Sequence, residues 1–198
     1  MTTLTTTQKS VGVSFWLAWL FATTIGIVVF VGAAIPIGYG AGEAVMQIAG
    51  ETVGMSVTGA VFGLAIGAGL GVPQALILQP RIGRAGGWAM GSLGGGVIAG
   101  AVSLPLAFAF FGQTPATAIV GFSLMGLCMS LGQWLAIRGQ IPRAGWWVLA
   151  GAMSIAVGLA VGVLLGGEGR ELLSLSVTGA VAGALTGGAM LALLRQPR

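Results

Sequence analysis

The apolar positions of this chain form six long runs, at approximately 15–37, 53–77, 87–111, 115–137, 146–165 and 172–194. A hydrocarbon layer about 30 Å thick is crossed by roughly 20 apolar residues in a helix, and each run reaches that length. The runs do not alternate with polar residues, as the wall of a membrane barrel would. The pattern predicts an all-α integral membrane bundle of six transmembrane helices. The first run exceeds the short apolar core of a cleavable secretory signal and is expected to be retained.

Charge falls almost entirely between the runs, and its sign segregates. Lys9, Arg81, Arg84, Arg138, Arg143, Arg195 and Arg198 share one side of a six-span path; Glu43, Glu51, Glu168 and Glu171 share the other, with Arg170 the one basic residue among them. The positive-inside rule then places both termini in the cytoplasm; a bacterial inner (plasma) membrane is the expected location. Residues 1–14 read as a flexible cytoplasmic tail and 15–198 as one membrane domain. Trp16, Trp19, Trp88, Trp134, Trp146 and Trp147 all fall on the basic side, the level that an amphipathic indole prefers.

One basic connection is written twice. QALILQPRIGRAGGW occupies 74–88 and QWLAIRGQIPRAGWW occupies 133–147, aligning Gln74 with Gln133, Arg84 with Arg143 and Trp88 with Trp147. SVTGAV at 56–61 recurs at 176–181, and QPR at 79–81 recurs at 196–198. The reading is three repeated helical hairpins, about 15–85, 86–144 and 145–198, all running the same way, unlike an inverted-repeat transporter. Arg81, Arg84, Arg138, Arg143, Trp88, Trp146 and Trp147 are then expected as interfacial anchors.

Glycine occurs 37 times and is spaced by four within several runs: Gly59, Gly63, Gly67 and Gly71; Gly158, Gly162 and Gly166; Gly179, Gly183 and Gly187. That spacing keeps glycine on one helical face. Lipid tails are as apolar as leucine, so burial alone cannot join membrane helices, whereas a small-residue face lets backbones approach and gain dispersion. These glycine-zipper faces are candidates for helix packing or for docking a partner.

Composition narrows the chemistry. Of 198 residues, 56% are hydrophobic and 6% charged; the net charge of +4 is dispersed, which argues against nucleic-acid binding. Histidine is absent and Cys128 is the lone cysteine, removing imidazole chemistry and cysteine-based zinc or disulfide sites. Met125, Cys128 and Met129 offer soft sulfur but fit ordinary helical core spacing. No ionisable group sits at mid-span, no nucleophile has an acid–base partner, and neither catalysis nor a metal or cofactor is expected. Gln74 and Gln133, about a turn inside the basic boundary, are candidates for interhelical hydrogen bonds or for a polar vestibule. Pro73 and Pro105 are expected to bend their helices. IGYG at 37–40 lacks the context of a potassium filter and reads as a glycine-rich loop with Tyr39 at the interface.

Around QWLAIRGQIPRAGWWVLA, 133–150, the chain resembles a loose group of polytopic membrane proteins of cyanobacteria and filamentous anoxygenic phototrophs. Their repeats carry Gln-Trp-Leu-x-x-Arg followed by Arg-Ala-Gly-Trp-Trp. The likeness extends to 74–88, where Ala75 stands for the first Trp and Gln79 for the Arg. It implies an accessory subunit of an energy-converting or photosynthetic membrane complex. The functional expectation is a non-enzymatic protein that assembles or stabilises such a complex through glycine packing against another membrane protein or a second copy. The alternative is a small transporter or channel for an uncharged or lipid-like solute.

Overall fold

The computed structural model describes residues 12–112, 114–167 and 169–196. Expectations attached to Lys9, Glu168, Arg198 and most of the 1–14 tail fall outside the described residues. Six helices follow one another: α1 (Val13–Ala49), α2 (Glu51–Ile82), α3 (Gly86–Phe111), α4 (Pro115–Ile137), α5 (Trp146–Gly166) and α6 (Glu171–Leu194). Each is long and apolar enough to cross a membrane. The protein is an all-α, multi-pass membrane bundle.

Short connections reverse the chain each time, so the helices alternate in direction. Glu43, Glu51 and Glu171 gather at one end, and Arg81, Arg84, Arg138, Arg143 and Arg195 at the other. Every helix packs on its successor, and α6 packs back on α1, closing a ring. Arg143 lies at φ 53°, the one described non-glycine residue with a positive φ.

Glycine sets how closely the ring closes. A Cβ on Gly63 would fall on the Gly96 carbonyl oxygen, and one on Gly59 on that of Gly100, so α2 and α3 meet backbone to backbone. Gly67 and Gly71 face Ser92 of α3. At Gly158 an added Cβ would lie 2.8 Å from the Thr178 oxygen, at Gly162 2.7 Å from that of Ser174, and at Gly166 2.6 Å from the Ser174 Cβ, which joins α5 to α6. Gly179, Gly183 and Gly187 meet Thr24, Leu20 and the Trp16 and Trp19 rings of α1. All ten glycines are therefore covered by helices of the same chain. In the structure all ten serve helix packing within the chain, the first of the two roles expected of them, and none presents a vacant groove.

The first hairpin departs from the sequence reading. Residues 38–49 continue α1 as helix instead of forming a loop, and α2 begins at Glu51, with only Gly50, at φ 89°, between them. Tyr39 is helical and packs edge-on against Phe62, with ring centroids 5.7 Å apart. The cause lies in side-chain size. Gly42 fits against Thr58, Gly54 fits against Met46, and the Thr58 hydroxyl donates to the Gly38 carbonyl at 3.2 Å. Glycine read as a loop signal is here a packing signal. Pro36 lies inside α1, which carries a π-helical turn at Ile27–Val31 just before it. At 1.5 Å per residue the 37-residue α1 extends about 55 Å, against about 32 Å for the 21-residue α5. The first hairpin thus rises well past the rest of the ring at the acidic end.

Two apolar clusters fill the interior. One, nearer the basic end, contains Phe15, Trp19, Leu78, Trp88, Ile137, Ile141, Trp147 and Leu193; the other contains Ile27, Val31, Phe62, Leu70, Ala99, Met125 and Met129. Between them lies a polar layer.

Candidate functional site

The layer begins with three tryptophans in the first two turns of the odd-numbered helices. Trp19 of α1, Trp88 of α3 and Trp147 of α5 stack edge-to-face or tilted, with centroids 5.9, 5.9 and 4.9 Å apart. Such geometry sets the positive ring edge of one against the negative face of another. None of the three reaches lipid. This corrects their reading as interfacial anchors: Trp88 and Trp147 are 0% and 2% exposed, whereas the neighbouring Trp146 is 64% exposed and faces outward. Arg84, Arg138 and Arg143 are exposed at the basic end, and Arg138 lies over the Trp134 ring at 5.6 Å. Arg81 is half-buried instead, folded over the Phe15 ring at 4.7 Å, with its terminal nitrogen donating to the Ile77 carbonyl.

Each buried indole donates its N–H to a polar side chain on the preceding even-numbered helix. Trp88 Nε1 donates to Gln74 Oε1 at 3.3 Å, Trp147 Nε1 to Gln133 Oε1 at 2.8 Å, and Trp19 Nε1 to Thr186 Oγ1 at 3.0 Å. The two glutamines pass the bond on: Gln74 Nε2 donates to Thr23 Oγ1 at 3.1 Å, and Gln133 Nε2 to Ser92 Oγ at 2.8 Å. Two arms therefore run indole to amide to hydroxyl, and in both the hydroxyl lies one turn beyond a tryptophan, Thr23 after Trp19 and Ser92 after Trp88. The chemistry explains the residue types. An amide is both acceptor and donor, so one glutamine satisfies an indole on one side and a hydroxyl on the other.

Gln74 and Gln133 are 3% and 2% exposed, so they make the interhelical hydrogen bonds expected of them. They also line a cavity of about 20 Å³ with Thr23, Ser130, Ser154, Thr186, Trp147 and Gly151. The tryptophan layer stands between that cavity and the basic end. It is an internal chamber rather than an open vestibule.

Sequence reasoning missed Trp19, Thr23, Ser92, Ser130 and Thr186. One signal was present: a hydroxyl residue four positions after Trp19 and after Trp88 shares the tryptophan's helical face. Among the described residues no three His, Cys, Asp or Glu side chains cluster as metal ligands. A larger groove of about 390 Å³ lies on the outside, lined by Trp146, Leu149, Ala150, Met153, Ala189, Ala192, Leu193 and Gln196. Its lining is apolar apart from Gln196. No protein-family model, no curated protein and no solved structure matches the chain, so what this site can do is argued from its own residues.

Proposed function

We propose that this is a non-enzymatic subunit that assembles or stabilises a membrane complex, and that it engages its partner through the projecting first hairpin. The observation carrying the proposal is the tip of that hairpin, where Ile48 is 89% exposed and Met46 and Val53 are also exposed, on helices that outlast a hydrocarbon layer about 30 Å thick. Apolar side chains raised into water gain about 25 cal/mol for every Å² a partner covers. The rigid glycine-packed stem supports this role, since it presents the tip without an ordering cost at binding. The partner is a second membrane protein whose own surface projects on the same side.

In this reading the ring is built from three parallel hairpins in a bacterial inner membrane, with the arginine-rich end and both termini in the cytoplasm and the hairpin tip outside it. The two Trp–Gln bonds at one spacing support the repeat. The charge segregation supports the orientation. Replacing Ile48 and Val53 together with Glu tests the proposal. Mild-detergent purification from the native membrane is expected to lose the co-purifying subunit while thermal unfolding stays unchanged; an undiminished partner yield would overturn it.

A second reading, passage of a small uncharged solute, draws on the polar cavity. It requires the three tryptophans to part, because the cavity as it stands has room only for something the size of water.

A further inference from the structure

The three indoles are treated unequally. The amides of Gln74 and Gln133 bridge two of them to a hydroxyl on the helix that precedes the glutamine's own, but Trp19 meets the short Thr186, whose own hydroxyl donates back to the Ala182 carbonyl at 2.6 Å. The place one turn beyond Trp147, where Thr23 and Ser92 stand in the other arms, is held by Gly151. Two side chains that would fill the interior are thus truncated at one spot, and the cavity lies there.

Its lining is not inert. Ser130 of α4 is 98% buried and takes the space that a Cβ on Gly151 would need, yet its hydroxyl makes no hydrogen bond among the described residues. Thr186 Oγ1 retains an unused lone pair, and Gln74 and Gln133 each retain one amide hydrogen. The available volume, about 20 Å³, exceeds the roughly 10–15 Å³ that a water centre needs and is too small for a larger solute. Dry internal cavities are apolar, whereas this one offers both donors and acceptors.

We propose that the gap holds one tightly bound water molecule. It replaces the missing amide, accepts from or donates to Ser130, and links the Thr186 arm to the layer formed by Gln74 and Gln133. The chemistry is that of a neutral ligand: no carboxylate lines the site, so a bare cation has no counter-charge there. This inference is independent of the proposed partner.

Two measurements on the purified full chain decide it. A structure determined at a resolution that shows ordered solvent is expected to reveal one peak within hydrogen-bond reach of Ser130 Oγ and at least one other lining polar atom; an empty cavity overturns the proposal. Thermal unfolding of Ser130→Ala in detergent is expected to fall by about 2–4 °C, since the water loses an anchor. An equal or higher Tm means that the substitution removed an unpaired hydroxyl from a dry cavity, and also overturns it.

Discussion

The two arginine-rich turns, 82–86 and 138–145, reach the same interior by different backbone paths. α2 runs helically through Pro80 to Ile82, and the Arg84 N–H then bonds to the Ile82 carbonyl at 2.8 Å around Gly83, at φ 70°. α4 stops at Ile137, and eight turn residues follow, with the positive φ one position later, at Arg143. Yet Leu78 and Ile137 are both fully buried, Ala85 and Ala144 are both buried, and Trp88 and Trp147 both reach back fourteen residues to a glutamine. The inward contacts are kept while the turn is rebuilt. Two different peptide paths of the right span therefore deliver the same set of inward contacts.

Removing an indole is the largest disturbance of that comparison. Trp88→Ala and Trp147→Ala are each expected to cost about 3–5 kcal/mol, as large-to-small core changes do. Equilibrium unfolding in mixed micelles measures both. Near-equal losses support equivalent roles, and a loss confined to one site breaks the equivalence.

Next come the amides. Gln74→Leu strands the Trp88 N–H and leaves the Thr23 hydroxyl without its partner, while Gln133→Leu strands the Trp147 N–H and leaves Ser92 only its bond to the Trp88 carbonyl; about 1–3 kcal/mol is expected for groups left unpaired in the interior. Tryptophan fluorescence supplies a second readout, because the affected indole loses its hydrogen bond. If both variants unfold like the wild type, the polar layer contributes nothing to holding the ring.

The smallest effect separates the turns themselves. Gly83→Ala should destabilise by about 1–2 kcal/mol, because a side chain at positive φ is strained in a turn of this tight kind. Arg143→Gly should change little, since relief of about 1 kcal/mol of left-handed strain is offset by a similar entropic loss in the unfolded chain. Thermal denaturation of the two variants side by side reads the difference. Equal responses would mean that the turns share one geometry in solution.

Hydropathy made most of the fold legible. The boundaries of the last four helices follow directly from the runs at 87–111, 115–137, 146–165 and 172–194, because a membrane span is specified by length and apolarity alone. Hydropathy ends the first hairpin too early, since Gly38, Gly40, Gly42 and Gly50 carry the same letter whether they end a helix or let one pack closely, and of these only Gly50 has a positive φ. For the site, sequence gave depth without rotation. Trp146 and Trp147 lie at nearly one depth but about 100° apart around the helix, so one faces outward and the other the core. Gln74 and Gln133 could be singled out because amides are rare in apolar runs; Ser130 and Thr186 could not, because hydroxyl residues are common there and their consequence depends on what the facing helix lacks.

The uneven rim has a practical corollary for imaging. Six similar helices in a ring would give particle views that are hard to tell apart in rotation, and alignment of so small a protein in a micelle would average them together. A single stalk, closed by Gly50 and standing clear of its neighbours on one face, marks both the azimuth and the polarity of every particle.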